Sequence, residues 1–392
     1  MGAACRAVED DSSGTEPETS DLKPQKSLKR VWGGEIPDYL IKMFDEGSKY
    51  LSETQKHRLA EILSTYRDTF VRSSTELGLS KVGEHKINTG DHPPVKERPR
   101  RVPLHRRKLV EEKIREMLEV GVIQPSESPW SACPVLVTKT DGSVRWCVDW
   151  RRLNNITVKD SYPMPRVDEC IEALEGCSWF SSLDLQHGYW QIPMRQEDWQ
   201  KTAFSTHVGL YEFTRTPMGV SNAPATFQRL METVLNGLDM TIAIIYIDDI
   251  IVPGRTFEQA AMGLEKVLRR LSENGLKLKT KKCHLFQREV QFLGHMVSKE
   301  GLRPVGAKVQ ALFQWPRPTN VKQVQGFLGL ANYYRRMIPD YAEIAVPLTH
   351  LLKKDVLFVW SRECQESFDI LKSKLMEDPV MAYPVENCPH IL

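Results

Sequence analysis

Two adjacent carboxylates, Asp248 and Asp249, sit in the run Tyr246-Ile-Asp-Asp-Ile250, inside an otherwise apolar segment from Ile242 to Val252. Burying unpaired carboxylates is costly, and no basic residue lies nearby in sequence. A divalent cation is the simplest partner, and hard oxygen ligands suit magnesium. Side chains of a straight strand alternate between faces, so the pair can address one site only from a tight turn. Both aspartates are therefore expected at a hairpin tip. Taken alone, an Asp-Asp dipeptide is better explained as a polar turn. A third lone carboxylate changes the balance: Asp184 ends the strand Ser181-Ser-Leu-Asp184. Three carboxylates from two strand ends form the donor set of two-metal phosphoryl transfer. In that chemistry the ions lie roughly 3.5–4 Å apart, one activating the attacking oxygen and one steadying the leaving oxygen.

The elements that must hold these residues are mixed. Ser52-Glu-Thr-Gln55 has the form of a capping box and opens a helix with Leu59, Ile62, Leu63 and Tyr66 on one face. A second amphipathic helix is expected from Arg107 to Val120, stopped by Gly121. Strands follow: a hairpin over 134–148 with an Asp141-Gly142 turn, then Trp179 to Leu185, and Val290 to Ser298, with Gly301 in the next turn. Helices are expected over 223–235, 258–274, 321–330, 344–352 and 363–376. Strands and helices lack a regular βαβ alternation, which favours α+β.

The chain of 392 residues is 41% apolar and 27% charged, normal for a core-forming protein. No stretch is apolar and long enough for a bilayer, and the first residues lack a signal-peptide core, so an intracellular protein without membrane contact is expected. Its 8 cysteines form no C-x-x-C pair and read as reduced structural thiols. The net charge of +2 is small but uneven: residues 96–108 carry seven Lys or Arg against one Glu. A second cluster spans Lys277 to Lys282. Such stripes suit a groove that tracks a nucleic-acid backbone, and equally a solvated linker. Asp11-Ser-Ser-Gly14 and Asn88-Thr89-Gly90 only approximate an aspartic-protease loop.

Four ordered segments carry a family resemblance. Phe180-Ser-Ser-Leu-Asp-Leu-Gln-His-Gly-Tyr-Trp-Gln-Ile192 resembles the first palm motif of reverse transcriptases. Thr216-Pro-Met-Gly-Val-Ser-Asn-Ala-Pro-Ala-Thr-Phe-Gln228 resembles the motif that follows it. Tyr246-Ile-Asp-Asp249 is similar to the catalytic hairpin and Phe292-Leu-Gly-His295 to the primer grip. The nearest pattern is that of gypsy-type long-terminal-repeat retrotransposons, related to retroviral polymerases, and it runs from about Leu51 to the last residue.

The resemblance implies a right-hand α+β polymerase of fingers, palm and thumb. Residues 1–37, whose start is rich in charged and polar side chains, are expected as a disordered arm from composition; the remaining divisions are a helical lead-in with a basic linker (38–117), fingers and palm (118–298), a helical thumb (299–354) and the start of a connection segment (355–392). The resemblance implies Asp184, Asp248 and Asp249 as ligands of two Mg2+ ions, with Mn2+ as an alternative, and the Leu185 carbonyl beside them. It further implies nucleotide contacts at Lys139, Arg145, Gln186, His187, Gly188, Tyr189, Met218 and Gly219, with Tyr189 under the sugar of the incoming nucleotide. Leu293, Gly294 and His295 would hold the primer end. The partners implied are deoxynucleoside triphosphates and a primer-template, RNA–DNA or DNA duplex. His187 and Met218 depart from the residues usual in the family, as does Pro253 after the hairpin. Residues 378–384 and 388–392 resemble the approach to a ribonuclease H domain, whose activity is not expected of this chain. Two rival readings remain at this level. One is a degenerate or domesticated element that binds nucleic acid without synthesis; the other is a silent partner in a dimer.

Overall fold

In the computed structural model, the described residues are 28–377 apart from 32–33, 139–141, 143, 239 and 241. The expectations for the arm up to residue 27, for Lys139, for Asp141 and for 378–392 fall outside them. The chain enters through a hairpin of β1 (Leu28–Val31) and β2 (Gly34–Pro37). This corrects the expectation of disorder up to residue 37, because Ile36 is fully buried in one apolar cluster with Leu40 and Leu59. Helix α1 (Asp38–Gly47) and α2 (Glu53–Thr65) follow. The expected capping box opens α2: Ser52 Oγ accepts the Gln55 N–H, and the Gln55 side chain accepts the Ser52 N–H. Helix α3 (Leu104–Glu119) stops before Gly121, whose φ of 69° ends the helical turn.

Strand β3 (Ile123–Pro125) precedes the expected hairpin, β4 (Cys133–Thr138) with β5 (Val144–Asp149). Two short helices, α4 (Arg151–Ile156) and α5 (Val167–Glu172), lead to β6 (Trp179–Asp184). Strands β7 (Phe204–Thr206) and β8 (Gly209–Phe213) join β3 in a three-stranded sheet. Helix α6 (Ala223–Val234) then precedes β9 (Ile244–Tyr246) and β10 (Asp249–Gly254). Helix α7 (Phe257–Glu273) and β11 (His284–Gln287) follow, and β11 completes the four-stranded central sheet in the order β11-β6-β10-β9.

The segment 290–298, expected as one strand, is broken. It forms β12 (Glu289–Phe292) and β13 (His295–Ser298), paired across a turn at Leu293 and Gly294, with φ values of 43° and 74°. Two successive left-handed residues reverse the chain, so the apolar run cannot continue straight. Gly301, expected in a turn, begins β14 (Gly301–Pro304), so the segment from 299 starts with a strand instead of a helix. Helices α8 (Gly306–Phe313), α9 (Val321–Tyr333), α10 (Tyr341–Ile344), α11 (Val346–His350) and α12 (Arg362–Met376) follow. The helix expected over 344–352 is divided between α10 and α11, where Pro347 sits in the first turn of α11 and supplies no N–H.

The central sheet is covered on both faces. Leu183, Ile245, Ile250 and Val252 face one apolar cluster with Phe227 and Met231 of α6 and Leu264 and Leu268 of α7. Phe180, Ile244 and Ile251 point the other way, into a second cluster with Phe327 of α9, Leu348 of α11 and Phe368 of α12. The strand period of two divides these side chains between the faces. Helix α12 therefore shares a core with the helices before it, whereas the resemblance implies a new segment from residue 355.

Candidate active site

The three aspartates meet at one end of the two inner strands of the central sheet. Strands β6 and β10 pair antiparallel in a register that sets Asp249 opposite Asp184. On its other side Asp249 faces Tyr246 of β9. Asp248 lies in the turn between β9 and β10, so the expected hairpin tip is present. The preceding Ile247 has φ 52°, an unusual conformation for a β-branched residue. The buried Gln228 of α6 holds it: its Oε1 accepts the Ile247 N–H at 2.9 Å. Gln228 belongs to the second resembling segment, but nothing in that segment marks this role.

The carboxylates repel one another. The Asp248 carboxyl is pushed up to about 6, by partial burial first and then by Asp249 and Asp184. Asp249 is also raised, by burial and by Asp184. One cation offsets this charge: Lys282 Nζ lies 2.8 Å from Asp184 Oδ2. No local pattern marks that pair, because 98 residues separate its members. The Lys279 N–H donates to the Asp184 carbonyl at 2.8 Å and fastens the lysine-rich turn to the end of β6.

Among the described residues, no group of three or more His, Cys, Asp or Glu forms a ready metal cluster. The donor set nevertheless fits magnesium. The carboxylates are hard, crowded and underneutralised, and an ammonium is already seated on one of them. Magnesium binds through one or two carboxylates plus substrate phosphates more often than in an all-protein cage.

The other expected contacts divide into groups. Tyr189 lies beside the aspartates: burial raises its hydroxyl pKa and Asp248 raises it further. Its ring packs edge-on against Phe227 at 5.4 Å. Gly188 is required there, because a Cβ would lie 2.8 Å from the Phe227 ring. His187, left-handed at φ 49°, stacks on Trp190 at 4.8 Å. Burial lowers its pKa; Lys279 lowers it further, while Asp184 acts in the opposite sense. Leu185 is buried next to Asp184. Gln186 does not join the cleft by its side chain: it is 2% exposed and its Nε2 donates to the Ser74 carbonyl. Its place after a strand end turns it inward, which corrects the expectation of a nucleotide contact from that side chain.

Arg145 reaches across from β5 to the Met218 sulfur at 2.7 Å. The Met218 carbonyl accepts from Trp150 Nε1, and the Gly219 carbonyl from Asn154 Nδ2. Arg145, Met218 and Gly219 are thus brought together. Leu293 and Gly294 form the β12–β13 turn and His295 opens β13. Tyr333 donates its hydroxyl to the Leu293 carbonyl, and the nearby Tyr246 helps burial to raise its pKa. The turn therefore stands alongside the aspartate hairpin.

A pH dependence follows from Asp248. With no divalent cation bound, its folded pKa of about 6 exceeds its ordinary 3.8, so the fold favours the neutral form. That contribution is complete below the ordinary value and is lost as pH rises through about 6. EDTA-treated protein should lose melting temperature between roughly pH 4 and pH 6, and added Mn2+ should restore it increasingly as the pH rises through that range. A cation-induced shift in Tm that is flat across this range would contradict a cation at Asp248.

Residues 137–297 match the family model described as reverse transcriptase (RNA-dependent DNA polymerase). The chain is similar to the retrovirus-related Pol polyprotein from transposon 297 of Drosophila melanogaster. The two are 36% identical over 94% of this chain and 34% of that protein. It is 30% identical to the corresponding polyprotein from transposon gypsy of the same organism, over 88% of this chain and 35% of the relative. The chain thus spans about a third of the length of these relatives. A solved structure, the foamy viral protease-reverse transcriptase dRH in complex with double-stranded DNA, superposes with a TM-score of 0.80. That match has 24% identity and covers 88% of this chain and 61% of the other. The mixed helices and sheets are those of a reverse transcriptase polymerase fold; residues 137–297 match the reverse transcriptase domain, and the relatives of this chain are Pol polyproteins of LTR retrotransposons.

Proposed function

We propose that the chain is an RNA-directed DNA polymerase that adds deoxynucleotides to a primer 3′-hydroxyl. The observation that carries this reading is the set of three carboxylates on paired strands and a hairpin tip, with register Asp184 opposite Asp249. Asp184, Asp248 and Asp249 would hold two Mg2+ ions, with the Leu185 carbonyl beside them. When bound, these ions supply Lewis-acid stabilisation of the attacking and leaving oxygens. Lys282 releases Asp184 for that purpose. Tyr189 forms a flat wall where the sugar of the incoming nucleotide lies, and Arg145, beside Met218 and Gly219, offers its guanidinium to the triphosphate. The β12–β13 turn presents the primer end. Positioning carries the catalysis, with no covalent enzyme intermediate.

Primer extension on an RNA template with Mg2+ is the direct test. Templated incorporation of deoxynucleotides is expected. A folded protein that binds primer-template and extends nothing would favour the binding-only alternative.

The same reading predicts steep salt dependence. Lys96, Arg98, Arg100, Arg151 and Arg152, with Glu97 and Asp149, line an open cavity where the basic segment meets α4. Arg100 and Arg151 pair with Asp149, and Arg152 with Glu97. Lys96 and Arg98 are exposed and stand open to phosphates. The double variant Lys96→Glu/Arg98→Glu should reduce the log–log salt slope of primer-template binding by about two, one for each phosphate no longer neutralised. An unaltered slope would remove the segment from the nucleic-acid path.

A further inference from the structure

We propose that Tyr333 and Tyr334 are positioning residues for the primer 3′ end, fastening the Leu293–Gly294 turn to the end of α9 and so fixing its place beside the Tyr246–Asp249 hairpin. This rests on the reading of residues 293–295 as the primer-holding turn.

Both carbonyls of the turn are engaged by consecutive tyrosines. The Tyr333 hydroxyl donates to the Leu293 carbonyl, and the Tyr334 hydroxyl donates to the Gly294 carbonyl at 2.8 Å. The turn needs such support, since Leu293 holds the left-handed conformation despite its Cβ. His295, the third residue, is gripped as well. Its ring stacks on Tyr333 at 5.3 Å and meets Tyr334 edge-on at 5.5 Å. On Tyr333, Lys308 of α8 sets its ammonium 4.7 Å from the ring centre. The fit leaves no room at the turn: a Cβ on Gly294 would lie 2.5 Å from Lys308 Nζ and 2.8 Å from the Tyr333 hydroxyl.

Ordinary core packing accounts for Tyr334, which is 1% exposed. It does not account for Tyr333, which is 42% exposed and commits its hydroxyl to the turn. Leu293 and Tyr246 also rest against the same apolar cluster as Tyr334. The turn, the end of α9 and the carboxylate hairpin are thereby held as one unit. A shift at α9 would reach the primer terminus through these two hydroxyls.

The test uses the full chain with a DNA primer on an RNA template and 2-aminopurine as the primer's terminal base. Tyr333→Phe keeps the ring stack and removes only the hydroxyl. Its maximal rate of single-nucleotide incorporation should fall about tenfold, while primer-template Kd and nucleotide KM change by less than about twofold. The 2-aminopurine fluorescence should rise as the terminus loosens. Tyr334→Phe should act in the same direction. A drop in Tm with an unchanged rate and fluorescence would make the tyrosines structural only and overturn the proposal. Gly294→Ala separates the two readings. If it impairs incorporation while both Phe variants match the parent, the turn holds the primer but the tyrosines do not position it. If folded Gly294→Ala protein matches the parent in rate and fluorescence, the primer-turn reading itself fails.

Discussion

Asp248→Asn protein should fold and bind primer-template like the parent, yet extend the primer on the order of 10³-fold more slowly or worse. The missing carboxylate charge weakens the hold on the cations, whose electrostatic contribution is worth several kcal/mol in such chemistry. Asp184→Asn should behave alike, with Lys282 losing its ion-pair partner as well. A thermal measurement separates catalysis from folding. Asp248 is raised by burial and by its two carboxylate neighbours, so its charge opposes the fold when no cation is present. In EDTA above about pH 6, Asp248→Asn should therefore melt at or above the parent temperature while being catalytically dead. Wild-type extension by either variant would remove the aspartates from the reaction.

The second large effect is on sugar choice. Tyr189→Ala should raise the ratio of ribonucleotide to deoxynucleotide kcat/KM by ~10- to 200-fold, the range that a few missing atoms command in a packed pocket. The ring packs edge-on against Phe227, which would hold it in place against a 2′-hydroxyl on the proposed reading. Tyr189→Phe should leave the ratio close to the parent's, because the ring supplies the obstruction and the hydroxyl does not. An unchanged ratio in folded Tyr189→Ala would return this tyrosine to a purely structural role.

The carboxylates are legible in sequence because charge inside an apolar strand is unfavourable, and that penalty points to a turn, where Asp248 lies. The capping box at Ser52 and the Gly121 stop are legible for the same kind of local reason. Lys282 is not, since its approach to Asp184 depends on the pairing of β11 with β6, which no local pattern encodes. Gln228 is hidden likewise: a glutamine on a helix gives no sign that it reaches the N–H of Ile247. The break at Leu293 is invisible because a leucine in the left-handed region has no composition signal. Gln186 misleads because a polar residue two places after a site aspartate need not share its exposure; here the chain turns its amide inward to Ser74.

The double cover of the central sheet limits how this molecule can be divided. Phe180, Ile244 and Ile251 share an apolar cluster with Ile171 of α5, Phe292 and Val297, and also with Phe327, Leu348 and Phe368 of α9, α11 and α12, far along the chain. A fragment ending near residue 298 would keep all three aspartates and still expose the part of that cluster that α9, α11 and α12 complete. Such a fragment should self-associate or be digested, whereas a chain carried through Met376 brings its own covering. The smallest autonomous unit is thus set by the underside of the sheet, well beyond the last of the three aspartates.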